Sequence, residues 1–292
     1  CQPFSKAGKQ KGLKDKKNGS FFIRDVARIL EYHQPKYFIL ENVPHLKKHD
    51  RENTWKVIVD ILTKLNYNIS ESFLSPHEFG IPQIRKRVFI VGSLRNLDYF
   101  KFPNAEEPED LDIRNILDSY PEGHKKLTDT QIRCLNLWQE IIDRLPANEP
   151  LPSFPIWSME FGATYPYEKA TPFSSSIDEL QKCKGVFGKS LLGKGRTEII
   201  DSLPSYARTE QKKFPDWKIQ YIKNNRDFYK KYKSILKPYL KELRELPPSW
   251  QKLEWNCQNE ERKIMNYLIQ FRASGIRIKR TNYAPSLVLT TT

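Results

Sequence analysis

Tyr37-Phe38-Ile39-Leu40-Glu41-Asn42 is the stretch that decides the fold, because four consecutive apolar residues lead directly into a carboxylate and a carboxamide. A short continuous apolar run predicts a parallel β-strand that is covered on both faces. In open α/β sheets the ligands bind at the carboxyl ends of the strands. Glu41 is therefore well placed to act on a ligand, although a solvated cap or an ion-pair partner is the alternative.

Helical and strand patterns alternate on both sides of this run. Apolar residues recur at helical spacing in residues 22–33 before it and in residues 55–65 after it. Strand patterns follow at residues 68–74 and, after a bend at 79–83, at residues 87–92. This alternation predicts an α/β fold that forms the second half of a doubly wound (Rossmann-like) sheet.

From about residue 103 the composition changes to proline, aromatic and charged residues without a clear βα alternation. A capping box at Thr128 predicts the start of an amphipathic helix over residues 132–145. A long basic helical pattern covers residues 217–246, and Pro238 should kink or split it. A last helix is predicted near residues 259–271.

Charge and cysteine content limit the partners. Lys and Arg number 49 against 35 Asp and Glu, and this net charge of +14 favours a polyanionic partner, with a merely solubilising basic surface as the alternative. The four cysteines show neither a Cys-x-x-Cys pair nor a nearby His at zinc spacing. We therefore expect no metal and no disulfide framework. With no signal peptide and no membrane-length apolar run, we expect a soluble, cytoplasmic protein.

Three short motifs carry reactive groups: Cys1-Gln2-Pro3, Glu41-Asn42-Val43 and Gln83-Ile84-Arg85-Lys86-Arg87. Together they supply a thiol nucleophile, a carboxyl proton donor and two arginines that can clamp an anion or a carbonyl. In this order and at this spacing they resemble the motifs of the cytosine-C5 DNA methyltransferases of bacterial restriction-modification systems. Any one of these motifs alone would be weak, whereas three in the family's order are specific.

The resemblance implies a role for each motif residue. Cys1 adds to C6 of cytosine, Glu41 contacts N3 and the amino group, Arg87 holds the base carbonyl and Arg85 positions the backbone or a loop. The resemblance further implies DNA-binding roles for Gln2, Ser5 and Gln83, and a structural role for Asn42. It implies S-adenosyl-L-methionine as methyl donor and double-stranded DNA as substrate. The target base must leave the stack, since its ring is unreachable inside a duplex.

The resemblance also implies how the chain is divided. Residues 1–103 are expected to form a partial catalytic domain, 104–270 a mixed, loop-rich target-recognition and connecting helical region, and 271–292 a segment that returns to the catalytic domain. The family's cofactor-binding motifs and its C-terminal Gly-Asn motif are not found in this sequence, so the cofactor-binding residues stay unassigned. We expect a fragment that is inactive alone and is completed by an N-terminal fragment.

Two other functions stay open on these residues. The chain could be a non-catalytic DNA-binding subunit that needs a partner chain, or an RNA cytosine-C5 methyltransferase built on the same catalytic plan.

Overall fold

The structure is a computed structural model that describes residues 25–105 and 111–284, and these residues form two compact units. The first unit contains the described residues up to 117 together with 282–284, and the second contains residues 118–281. Both units combine helices with a β-sheet, so the predicted α/β class is confirmed. The first unit contains α1 (Ala27–His33), β1 (Tyr37–Asn42), α2 (His45–Lys48), α3 (Asn53–Lys64), β2 (Asn68–Leu74) and β3 (Arg87–Ser93).

The sheet of the first unit has the order β1-β3-β2, and its central strand β3 is antiparallel to both neighbours. β1 and β2 therefore run in the same direction, and the crossover between them contains α3. As a result the carboxyl ends of β1 and β2 lie at the same edge as the amino end of β3. This edge holds the motif residues at 41–42 and at 87.

One face of this sheet is packed against the helices. Phe38, Val88 and Ile90 are buried on this face and form a core with Leu30, Ile58 and Leu62. On the opposite face of β1, the side chains of Tyr37 and Ile39 are 61% and 71% exposed. The prediction that β1 is a parallel strand covered on both faces is thus wrong for the described residues. An apolar run indicates that a segment packs in a hydrophobic core, but it does not identify the strand with which that segment pairs.

The second unit packs a four-stranded sheet of order β4-β5-β7-β6 against a larger helical core. Its central helix α4 starts at the capping box of Thr128 and Gln131 and buries Trp138 and Ile141. The capping box and the apolar stripe are therefore confirmed. The elements of the second unit are α4 (Asp129–Arg144), β4 (Ile156–Trp157), α5 (Ile177–Gln181), α6 (Arg196–Asp201), α7 (Asp216–Lys231), α8 (Lys233–Leu236), α9 (Leu240–Glu245), β5 (Lys252–Asn256), β6 (Leu268–Arg272) and β7 (Gly275–Lys279).

Two sequence predictions in this unit have opposite outcomes. The basic helical pattern is split as predicted, because Pro238 lies in a 3-10 turn between α8 and α9. The helix predicted near residues 259–271 is wrong, since the end of this range belongs to the strand β6 (Leu268–Arg272). β6 pairs antiparallel with β7, with Ile269 opposite Ile278, and this pairing satisfies its backbone groups. None of the described helices has the length and apolar content needed to cross a bilayer.

Candidate active site

Glu41 and Arg87 meet at the shared edge of the first sheet. Glu41 is opposite Phe89 in the ladder of β1 and β3, and Arg87, two residues from Phe89, projects from the same face. The Nε atom of Arg87 is 2.8 Å from Oε1 of Glu41. The side chain of Glu41 remains 38% exposed and that of Arg87 19% exposed. The pair is therefore fixed by the sheet while its carboxylate stays open to a ligand.

The contacts of Arg87 use only part of the hydrogen-bonding capacity of its guanidinium. Its Nη1 donates a hydrogen bond of 2.8 Å to the carbonyl of Lys86. Its Nε is buried and close to Glu41 but has no hydrogen-bond partner with good geometry. The contact with Glu41 is thus mainly one of charge, and the hydrogen bond to Lys86 uses only one of the five donors of the guanidinium.

The side chain of Arg85 is exposed, and the backbone of Arg85 is held by Ser75. The N–H of Arg85 donates to Oγ of Ser75 at 3.0 Å, and Nδ1 of His77 lies 2.8 Å from the same oxygen. Ser75 is buried, and Glu78 closes a capping box with it. Ser75 is a supporting residue that our sequence interpretation missed. Its signal was available in the sequence, because Ser75-Pro76-His77-Glu78 has the capping-box spacing.

Gln83 and Asn42 are half-buried and held by local contacts. The carbonyl of Gln83 accepts a hydrogen bond from the N–H of His77 at 3.1 Å, and Gln83 forms an isolated parallel bridge with Ala284. Oδ1 of Asn42 accepts a hydrogen bond of 2.9 Å from the N–H of Val43, and this bond holds the backbone where β1 ends. The DNA-binding role of Gln83 and the supporting role of Asn42 stay predictions.

The other predicted site residues, Cys1, Gln2 and Ser5, lie outside the described residues, so the nucleophile itself has no described position. The three described cysteines offer no substitute. Burial raises the pKa of the Cys134 and Cys257 thiols to about 12, and it also raises the pKa of Cys183. A thiol reacts as its thiolate, so Cys134 and Cys257 are poor nucleophiles at neutral pH.

No group of three or more His, Cys, Asp or Glu side chains within residues 25–105 and 111–284 is arranged to hold a metal ion. The motif residues at the sheet edge instead supply a carboxylate, an arginine and backbone held by Ser75. A carboxylate and a guanidinium side by side offer hydrogen-bond acceptors and donors to a polar ligand.

Comparison with known proteins identifies the family of this chain. Residues 1–267 match the sequence profile of the C-5 cytosine-specific DNA methylases. The chain therefore belongs to the C-5 cytosine-specific DNA methylase family, and the predicted resemblance is confirmed.

Its relatives are bacterial Type II methyltransferases. The chain is 44% identical over 126 residues to Type II methyltransferase M.NgoBV of Neisseria gonorrhoeae. This alignment covers 41% of this chain and 29% of that protein. It is 38% identical over 133 residues to M1.ScrFI of Lactococcus lactis subsp. cremoris, covering 44% of this chain and 33% of that protein. M.AluI of Cellulosimicrobium cellulans is 26% identical over 359 residues, covering all of this chain and 66% of that protein. The chain thus matches less than two thirds of the length of each of these relatives.

Proposed function

We propose that this chain contributes the nucleophile and the base-binding pair to the methylation of C5 of cytosine in duplex DNA. The observation that carries the proposal is the contact of 2.8 Å between Glu41 and Arg87 at a sheet edge, in a chain of the C-5 cytosine-specific DNA methylase family. A protonated carboxyl group beside a guanidinium is complementary to the N3, amino and O2 edge of cytosine, because it donates to N3 and accepts from the amino group while the guanidinium donates to O2.

The reaction needs these groups because the cytosine ring is aromatic and electron-poor. The thiolate of Cys1 forms a bond to C6, and the displaced electron pair moves toward N3 and O2. Glu41 holds a proton at N3, and Arg87 stabilises the negative charge on O2. C5 is then nucleophilic and takes a methyl group. Loss of the C5 proton and expulsion of the Cys1 thiolate restore the aromatic ring and free the enzyme.

S-adenosyl-L-methionine supplies the methyl group, as expected for this family, and we assign none of the described residues to its binding. The base must be turned out of the helix before Cys1 can reach C6, which costs a few kcal/mol of unstacking and unpairing. Contacts between basic side chains and phosphates offset this cost.

The test is methyl transfer from labelled S-adenosyl-L-methionine to duplex DNA by the full chain, with and without a fragment that carries the family's cofactor-binding motifs. We expect activity with the fragment, abolished by Cys1→Ser and lowered about 10²-fold or more by Glu41→Gln. Cys183→Ser is the matched control and should retain activity. The proposal fails if Cys1→Ser is as active as the parent chain, or if tRNA is methylated in preference to duplex DNA.

A further inference from the structure

The segment that leads into β3 is held by a side chain rather than by a strand. Leu74, the last residue of β2, is paired with Arg87, the first residue of β3. Residues 84–86 precede this pair without regular secondary structure. Within them, the N–H of Arg85 donates a hydrogen bond of 3.0 Å to Oγ of Ser75, which directly follows β2. The hydroxyl of Ser75 therefore takes the place of a strand partner two residues before Arg87.

The surroundings of Ser75 determine how its hydroxyl group is oriented. Ser75 is only 1% exposed, so its hydroxyl proton must find an acceptor within the protein. Its oxygen accepts from Arg85, because a backbone N–H can only donate. For the hydroxyl proton the described residues offer Nδ1 of His77, which lies 2.8 Å from Oγ. Both capacities of the hydroxyl are therefore used when Ser75 accepts from Arg85 and donates to His77.

This arrangement selects one form of the His77 ring. Nδ1 can accept a hydrogen bond only in the neutral ring that carries its proton on Nε2. A proton on Nδ1 would leave the buried hydroxyl proton of Ser75 without an acceptor, and an unmade hydrogen bond of this kind is costly. The Nε2–H tautomer is therefore the form of His77 that satisfies Ser75 and Arg85 together.

His77 is itself held in place by its backbone and by its ring. Its N–H donates a hydrogen bond of 3.1 Å to the carbonyl of Gln83. Its ring packs edge-on against the ring of Tyr283, with the two centroids 5.5 Å apart. His77 is thus connected to Gln83 directly and to Arg85 through Ser75, so one residue holds the motif segment at two points.

We propose that His77 is a positioning residue for residues 83–87, and that it acts by accepting the hydroxyl proton of Ser75 and so directing the oxygen of Ser75 toward Arg85. This inference rests on the proposed function, in which Arg87 stabilises the negative charge on O2 of cytosine. Arg87 can do this only if the chain leading into β3 keeps its guanidinium at the right distance from the base, since a displacement of about 1 Å is enough to slow a reaction strongly.

Substitutions at His77 distinguish this role from simple packing. The side-chain carbonyl of Asn can accept a hydrogen bond close to where Nδ1 lies, whereas Leu fills space but cannot accept. His49 is the matched control, because its Nδ1 lies 2.7 Å from Oγ1 of Thr54 and forms the same kind of pair in the same unit. That pair joins the turn before α3 to α3 itself. A packing role predicts similar effects at both histidines, and the positioning role predicts an effect on residues 83–87 from His77 alone.

The first measurement follows hydrogen exchange at the backbone amide of Arg85 in the full chain labelled with ¹⁵N-arginine, where the signal lost in Arg85→Lys identifies this amide. Ser75→Ala should accelerate its exchange by about tenfold, the effect of one lost hydrogen bond. His77→Leu should accelerate it several-fold, and the double variant should exchange no faster than Ser75→Ala, because both substitutions act on one link. His77→Asn and His49→Leu should keep the parent's rate within about twofold.

The second measurement is methyl transfer by the chain complemented with the cofactor-binding fragment. His77→Leu should lower kcat by about tenfold while KM for DNA changes far less, because Arg87 stabilises a charge that forms only in the transition state. His77→Asn should restore most of kcat, and His49→Leu should leave it unchanged. Urea unfolding of each variant shows that a loss of activity is not a loss of fold.

The outcomes separate this inference from the proposed function. The inference is overturned if His77→Leu leaves the exchange of the Arg85 amide unchanged, or if His77→Asn is as impaired as His77→Leu. It is also overturned, while the proposed function stands, if the parent chain is active and His77→Leu is equally active. If exchange at Arg85 responds as expected while the complemented parent chain transfers no methyl group, the proposed function fails and the positioning of residues 83–87 by His77 stands.

Discussion

Glu160 shows how a single residue organises the interior of the second unit. Its side chain is fully buried, and Nε of Arg226 lies 2.9 Å from Oε2 while the hydroxyl of Tyr206 donates to Oε1 at 2.7 Å. The hydroxyl of Tyr165 donates to the same Oε1. The carboxylate keeps its hydrogen bonds and its counter-charge only as long as these partners remain, so the network is sensitive to the loss of any member.

Glu160→Gln should therefore destabilise the protein by about 3 kcal/mol, because it leaves the buried guanidinium of Arg226 without a counter-charge. Urea unfolding followed by tryptophan fluorescence measures this change. Glu168→Gln is the control, since Glu168 is exposed and accepts a hydrogen bond from the exposed end of Tyr167 at 3.0 Å. The control should change stability by less than about 0.5 kcal/mol. Equal effects of the two substitutions would contradict a structural role for the Glu160 network.

The same network makes a prediction about alkaline pH. Burial first, and the charge of Glu160 second, raise the pKa values of Tyr165 and Tyr206 well above their usual value. Both tyrosines ionise in the unfolded chain near pH 10 but stay neutral in the folded protein. Their stabilisation is complete below pH 10 and is lost as the pH rises further.

We expect the free energy of unfolding to fall above about pH 10, and Tyr206→Phe to make this fall shallower by up to about 1.4 kcal/mol per pH unit. Urea unfolding of the parent and the variant between pH 9 and pH 11 compares the two slopes. Phe removes the titrating group, and comparison of slopes rather than absolute stabilities separates titration from the lost hydrogen bond. Identical slopes would show that Tyr206 does not titrate differently in the two states.

At the scale of elements, the turn that joins α2 to α3 contains stored backbone strain. Asp50, Arg51 and Glu52 have positive φ angles of 51°, 50° and 72°. None of them is glycine, and the left-handed region is unfavourable for side chains with a Cβ. The turn lies between α2 and α3, so its geometry sets the direction in which α3 begins.

Glu52→Gly should stabilise the protein by roughly 0.5–1 kcal/mol, because relief of the left-handed strain exceeds the added entropy of glycine in the unfolded chain. Lys56→Gly in α3 is the control at an ordinary helical position. It should destabilise by about 1 kcal/mol. Urea unfolding measures both, and a loss of stability on Glu52→Gly would show that Glu52 has a compensating contact.

The sequence predicted some elements well because local chemistry determines them. α4 has a capping box at Thr128 and an apolar stripe, and both features are local. β6 could not be predicted, because Leu268 and Phe271 have helical spacing with Ile264, and only pairing with β7 makes this segment a strand. For the same reason, the motif at Glu41 and Arg87 was visible in the sequence while the pairing of β1 with β3, which brings the two side chains together, was not.

At the scale of the whole molecule, the described residues contain two separate hydrophobic cores. The buried residues of one core lie between Leu30 and Ile90, and those of the other lie between Cys134 and Ile278. The second core includes residues of the sheet β4-β5-β7-β6 and of the helices α4 to α9. A unit with its own core of this size can fold independently.

Residues 118–281 expressed alone should therefore fold cooperatively, because the core of this unit contains no buried residue of the first unit. Trp138, Trp157 and Trp255 are at most 8% exposed, so their fluorescence should shift to longer wavelength in a single transition on heating. Leu253→Ala in the same segment should lower its stability by about 2–5 kcal/mol, which shows that the transition reports this core. A gradual change without a transition would mean that the second unit depends on contacts outside residues 118–281.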